Sequence, residues 1–142
     1  MSEHLFILYG AANTGKTTSF NELFEKICHN FLANLIYFER NENLIDFIAV
    51  FQNSDITVGL YSAGDGEIQI RHNLYQLNNH NCDYILGTSR TRGKGVGVLN
   101  KYAELFHDTN ESIKWYKKED ATDEDNSNVV RQLFKEFQKL LK

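Results

Sequence analysis

Leu5-Phe6-Ile7-Leu8-Tyr9, followed by Gly10-Ala11-Ala12-Asn13-Thr14-Gly15-Lys16-Thr17-Thr18, is the stretch on which the fold turns. An unbroken apolar run fits a strand buried on both faces, because polar alternation is lost where neither face meets water. Two glycines then bracket a turn. From Lys16 onward the apolar residues Phe20, Leu23, Phe24, Ile27, Cys28 and Phe31 recur at i, i+3, i+4, i+7 spacing, one face of a helix.

Working outward, Leu35 to Phe38 is a second apolar run that ends in Glu39-Arg40. Strand, helix, strand is a βαβ unit, which predicts a parallel pair joined by a right-handed crossover. Asp46 to Phe51 and Ile56 to Tyr61 flank the polar Asn53-Ser54-Asp55, the pattern of a hairpin; a short helix over residues 43–52 is the rival reading. Past Ser62-Ala63-Gly64-Asp65-Gly66, the residues Ile70, Leu74 and Leu77 share a helical face. Tyr84-Ile85-Leu86 is a further buried strand ending in Gly87-Thr88-Ser89-Arg90, and residues 91–97, glycine-rich and basic, read as a mobile loop. Val98, Leu99, Tyr102, Leu105 and Phe106 mark a helix. Ile113 to Tyr116, among Lys114, Lys117 and Lys118, reads as an edge strand with charged gatekeepers. Glu119 to Asp125 is an acidic, solvated loop, and Val130, Leu133, Phe134, Phe137, Leu140 and Leu141 make a final amphipathic helix. Alternating strands and helices give the class α/β, as one domain over residues 1–142.

Composition narrows the function. The length of 142 residues supports one core that buries roughly two-thirds of the unfolded surface. A net charge of −4 provides no whole-molecule field for nucleic acid or anionic lipid. Cys28 and Cys82 lack CxxC spacing and read as reduced thiols. No run approaches the roughly 20 apolar residues of a bilayer span. Met1-Ser2-Glu3-His4 lacks the features of a signal peptide, so the expected location is cytoplasmic, with no membrane partner. His4, His29, His72, His80 and His107 show no metal-ligand spacing, and no nucleophile–base triad can be read from spacing.

Gly10 to Thr17 satisfies GxxxxGK[ST] in full, between a strand and a helix. Glycines let the backbone wrap closely, so that successive N–H groups converge on phosphate oxygens, and the helix adds its positive end. The Lys16 ammonium suits the β- and γ-phosphates, the Thr17 hydroxyl suits Mg²⁺, and the segment from Gly10 to Thr18 is the candidate phosphate cradle. The bland alternative is a glycine turn that only joins strand to helix.

On these residues the chain resembles the P-loop NTPase superfamily. The resemblance implies a three-layer α/β/α sandwich with a mostly parallel sheet and ATP with Mg²⁺ as ligands. GTP is less favoured, because the polar run Thr88-Ser89-Arg90 lacks the NKxD motif that reads guanine. It further implies a second acid near the metal. Asp65 is the candidate metal and catalytic acid, although it stands four residues beyond Tyr61 rather than directly at a strand end; capping the following helix is its other reading. The segment from Ser62 to Glu67 is similar to the switch of small GTPases, but Tyr61 stands where their metal-associated Asp would be.

Glu39, at a strand end, is the candidate base for a phosphotransferase, as in some nucleoside kinases; pairing with Arg40 at the surface is the alternative. Arg90 and Arg92, among glycines with Lys94, are candidate charge stabilisers. The Arg90–Lys94 loop also suits a nucleic-acid backbone or a protein partner. Thr88 or Ser89 can instead orient an attacking water, as a polar residue on that strand does in many ATPases. Three readings follow: a Mg²⁺-dependent ATPase or small phosphotransferase; a nucleotide-controlled binding module with slow or no turnover; and a subunit completed by a partner or a second copy.

Overall fold

The computed structural model describes residues 3–107 and 112–141; Met1-Ser2 and the side chains of Phe106 and His107 lie outside what is described. The run Leu5–Tyr9 forms β1, buried almost throughout, with β5 (Tyr84–Ser89) and β6 (Ile113–Lys117) as its parallel neighbours. Then come β4 (Thr57–Tyr61), parallel to β5, and β3 (Phe47–Gln52) and β2 (Leu35–Arg40), each antiparallel to the strand before it in the sheet. The six-stranded mixed sheet has the order β2-β3-β4-β5-β1-β6. Helices α1 (Lys16–Phe31), α2 (Glu67–Asn79), α3 (Lys94–His107) and α4 (Asp123–Leu141) cover it.

Side-chain parity sorts the strands into two cores. Phe6 and Leu8 of β1, Phe47 and Phe51 of β3 and Leu60 of β4 pack with Phe20, Leu23 and Ile27 of α1 and Leu133 and Phe137 of α4. Leu5, Ile7, Ile48, Val50, Tyr61 and Ile85 point the other way, onto Ile70, Leu74 and Leu77 of α2 and Leu99 and Ala103 of α3. The three layers follow directly. Each fully buried side chain of this size contributes about 1.5–3 kcal/mol.

The crossover rule explains which helix lies on which face. From β1 the chain moves to β2 at one edge; from β4 through β5 to β6 it moves toward the other. Right-handed connections running in opposite directions must lie on opposite faces, which separates α1 from α2 and α3.

Two expectations change, and one pair of alternatives is decided. The β1/β2 parallel pair does not form, and β2 lies at the far edge against β3. A place beside β1 needs a strand buried on both faces; β5 is buried from Ile85 to Ser89, whereas β2 exposes Ile36, Phe38 and Glu39. The hairpin forms in place of the short helix over 43–52, its turn closed by Asn53 N–H on Ile56 O (3.0 Å) and by Asn53 Oδ1 accepting from Asp55 N–H (2.8 Å). Residues 94–97, expected in a loop, begin α3. Gly93 breaks the chain at φ 117°, and Gly95 lets the helix approach α2, since a Cβ there would stand 2.8 Å from Ile70 Cδ1. Glycine there serves packing, not mobility.

Gly87 lies under the fully buried ring of Tyr61, whose hydroxyl donates to Thr88 O at 2.8 Å. A Cβ at Gly87 would stand 2.0 Å from that ring, while one at Gly97 would meet nothing within 4 Å. Gly87→Ala is expected to lower unfolding free energy by about 3 kcal/mol. Gly97→Ala, on an exposed helical turn, should raise it by about 0.5–1 kcal/mol. Urea titration of both variants checks the pair; equal effects would refute this account of the packing.

Candidate phosphate-binding site

Adjacent strands β1 and β5 send their following helices to opposite faces, so a crevice opens beyond their C-terminal ends. The loop after β1 is Gly10–Gly15. Asn13 (φ 66°) and Gly15 (φ 86°) are left-handed, which turns successive peptide N–H groups toward one concavity. Thr14 N–H closes the turn over residues 12–13, while the N–H groups of residues 11 to 13 and 15 to 18 have no acceptor among the described residues and no side chain caps α1. Gly10 N–H, by contrast, is tied to Ser89 O at 3.2 Å, and Thr14 Oγ1 donates to Ala11 O at 2.8 Å.

Behind the loop lies a support that the sequence did not reveal. Lys118 N–H donates to Tyr9 O at 2.8 Å, and its backbone crowds Gly10 so closely that a Cβ there would stand 2.9 Å from Lys118 O. The Lys118 ammonium is buried, bound to Asp120 O and, at 3.1 Å, to Asp125 Oδ2; the same oxygen accepts Glu119 N–H at 2.9 Å. Asp125 is placed by the start of α4, where its N–H reaches Thr122 Oγ1 at 3.2 Å. The signal was Thr122-x-x-Asp125, a capping pattern hidden in what read as a solvated acidic run.

Lys16 is buried, its ammonium donating to Gly10 O and Ala11 O at 2.9 Å each. Burial holds its pKa below the ordinary lysine value; the Asp65 carboxylate opposes that shift and the Arg90 guanidinium adds to it. Asp65 Oδ1 stands 3.6 Å from Lys16 Nζ and 3.6 Å from Arg90 Nε. Its carboxylate makes no cap: Gly66 is the N-cap of α2 and has no side-chain partner, while Asp65 N–H is held by Gln69 Oε1 at 3.0 Å.

Thr17, the expected metal ligand, faces a different acid. Its hydroxyl donates to Asp46 Oδ1 at 3.2 Å, and Ser62 Oγ donates to the same oxygen at 2.9 Å. Asn43 fixes the carboxylate from the other side, with Nδ2 on Asp46 Oδ2 at 2.7 Å and Oδ1 accepting Asp46 N–H at 2.9 Å. Asp46 immediately precedes β3, which is antiparallel, so the start of this strand lies level with the ends of the others. A search confined to strand ends overlooks it.

The remaining candidates are scattered. Glu39 is exposed on β2 and accepts Tyr37 OH at 2.6 Å; four strand spacings, roughly 19 Å, separate its strand from β1. Arg92 is exposed and makes no ion pair or hydrogen bond among the described residues. Thr88 Oγ1 is committed to Ser62 O (2.8 Å) and Ser89 Oγ to Arg90 O (2.9 Å). Cys28 and Cys82 are both free thiols, and burial pushes Cys82 up to about 12, out of range for a nucleophile. Among the described residues no three His, Cys, Asp or Glu side chains gather as a metal cage, and no helix is long and apolar enough to cross a membrane.

Asn13, Gly15, Lys16, Thr17, Thr18, Ser62 and Asp65 line a cavity of about 200 Å³. Its chemistry is donor-rich at the loop and carboxylate-bearing at the rim, the arrangement of an anion site with a place for a hard cation beside it. The chain is an α/β protein built on a mixed sheet. No known protein family, curated protein or solved structure matches it.

Removing one partner of the buried Lys118–Asp125 pair leaves an uncompensated charge. Asp125→Ala is therefore expected to lose about 3 kcal/mol or more of stability, and Glu119→Ala, at an exposed position, less than about 0.5 kcal/mol. Thermal and urea unfolding would check the contrast; a mild Asp125→Ala would remove the support assigned to Lys118.

Proposed function

We propose that this chain is a P-loop protein that binds the phosphates of ATP together with Mg²⁺ and hydrolyses the nucleotide. The observation that carries the reading is the set of unbonded N–H groups at residues 11 to 13 and 15 to 18, aligned by left-handed Asn13 and Gly15 at the start of α1.

A phosphate chain entering this concavity accepts from those amides and draws the Lys16 ammonium away from Gly10 O, Ala11 O and Asp65. Thr17 and Asp46 are the pair that fits the metal: two hard oxygen donors already in contact, with Ser62 and Asn43 fixing the carboxylate. Mg²⁺ supplies charge neutralisation on the phosphate oxygens. Arg90, released from Asp65, is the side chain on hand for the charge that develops on the transferred group. The distance of Glu39 from β1 favours hydrolysis over transfer to a bound acceptor. GTP remains the lesser alternative.

A nucleotide-controlled binding module is the second reading, favoured by one observation. Asp65 lies in the segment leading into α2 and Arg90 in the one leading into α3; Lys16 and Arg90 both engage the Asp65 carboxylate, so phosphate binding at Lys16 would alter what holds the leaders of two helices. Steady-state turnover separates the readings, with about 1 s⁻¹ or faster expected of an enzyme supplied with its activator.

Lys16→Ala should weaken MgATP binding by about 100-fold or more in calorimetry without changing the fold, given charge-assisted bonds to more than one phosphate. Undiminished affinity would end the proposal. Asp46→Asn should raise the Mg²⁺ requirement about tenfold, with a far smaller change for Asp65→Asn; the reverse order would return the metal to Asp65. A thermal-shift panel of ATP, GTP, ADP and nucleosides with and without Mg²⁺ should show its largest rise with MgATP.

A further inference from the structure

On the face opposite α1, helices α2 and α3 enclose a groove of about 530 Å³. Both helices follow parallel strands and so run in the same direction. Glu67 and Lys94 stand at one end of the groove, Asn78 and Leu105 at the other. At 1.5 Å per residue its length is roughly 17 Å, about three helical turns. The floor is Leu74, Val98 and Tyr102, and the walls carry Tyr75 and Leu105, which are 67% and 69% exposed. Ile68, 78% exposed, lies seven residues before Tyr75 and carries its stripe about two helical turns toward the N-terminus of α2. Apolar side chains gathered into one exposed patch, unlike ones scattered singly, mark contact surfaces.

Charge identifies the occupant. The whole chain carries −4, yet the groove is bordered by Arg71, Lys94 and Lys101 against Glu67 alone. Glu67 is already taken by Arg71 at 2.9 Å, and among the described residues neither Lys94 nor Lys101 has a carboxylate within salt-bridge distance. A nucleic-acid backbone would meet a mostly hydrocarbon lining that offers its phosphates few partners. A second copy would bring its own lysines against these, and like charges repel across an interface. A helix with an apolar stripe and acidic flanks satisfies both the floor and the border.

We propose that the α2/α3 groove docks an amphipathic helix of a partner protein, with apolar residues at i, i+3 or i+4, and i+7, and Asp or Glu beside them. The proposal does not depend on nucleotide binding. A displayed library of helices of roughly three turns, with leucine or phenylalanine fixed on that stripe and every other position free, is selected against the folded chain. The recovered helices are expected to be enriched in Asp and Glu. They should bind about tenfold or more weakly to Leu105→Glu and to the double variant Lys94→Glu, Lys101→Glu. All three positions are exposed, so melting temperatures should match the parent. Recovery of no binder, of lysine-rich binders, or of binders indifferent to these variants overturns the proposal. So does concentration-dependent dimerisation abolished by Leu105→Glu, which gives the groove to a second copy, or oligonucleotide binding abolished by the double variant, which gives it to nucleic acid.

Discussion

A turn whose amides are left without partners cannot hold its own shape through them, so its surroundings must hold it. Here the constraint is met from three sides. Gly10 N–H is fastened to β5 through Ser89 O, Lys118 is hydrogen-bonded to Tyr9 behind the loop, and α1 begins at Lys16 with its first turn against α4. The α1/α4 contact includes Ser19 Oγ on Asn126 Oδ1 in the interior. Asp125 neutralises the buried Lys118 and thereby joins the start of α4 to the back of the loop. A buried charge pair adds little net stability relative to an apolar filling. Its value here is position, because the chain that supplies Lys118 also fills the space behind Gly10 and Gly15.

Magnitudes decide how the front of the site behaves. The pairs Lys16–Asp65 and Arg90–Asp65 share a carboxylate that is 57% exposed, at 3.6 Å in each case. Exposed pairs of this kind are worth about 0–1 kcal/mol. Charge-assisted hydrogen bonds to an anion in the loop contribute about 1.5–3 kcal/mol each. The resting arrangement is therefore easily exchanged for a liganded one, and Lys16 is stabilised in the meantime by two carbonyls. Asp46 behaves differently. With two hydroxyls and an amide on its carboxylate it is fixed before any ligand arrives, the property expected of a metal-side acid and not of a latch.

Local patterns were legible where local forces decide the outcome. The apolar run of β1, the period of α1, the hairpin and the glycine loop all follow from spacing within about twenty residues. The neighbours of β1 were not legible, because adjacency is decided by competition among strands for a doubly buried position, and β2 loses that competition through Tyr37, Glu39 and Arg40. The same long-range step hid the acids. Asp65 was found from its place after a strand, but its partners Lys16 and Arg90 come from two other loops. Asp46 was read only as the first residue of a hairpin strand, and nothing in the local pattern shows that an antiparallel strand begins at the cleft.

That antiparallel reversal is what allows a short chain to complete the cleft. A wholly parallel sheet would offer only strand ends to the crevice beside β1, and here those ends supply the Gly10–Gly15 loop, Ser62 with Asp65, and Arg90. Folding β3 back between β2 and β4 brings a strand start to the same level and adds Asp46 and Asn43 without another domain. Among the described residues, α2 and α3 are the only helices packed on their face of the sheet. The hairpin thus underlies the contact between Asp46 and Thr17, and the apolar groove has walls that follow the segments carrying Asp65 and Arg90.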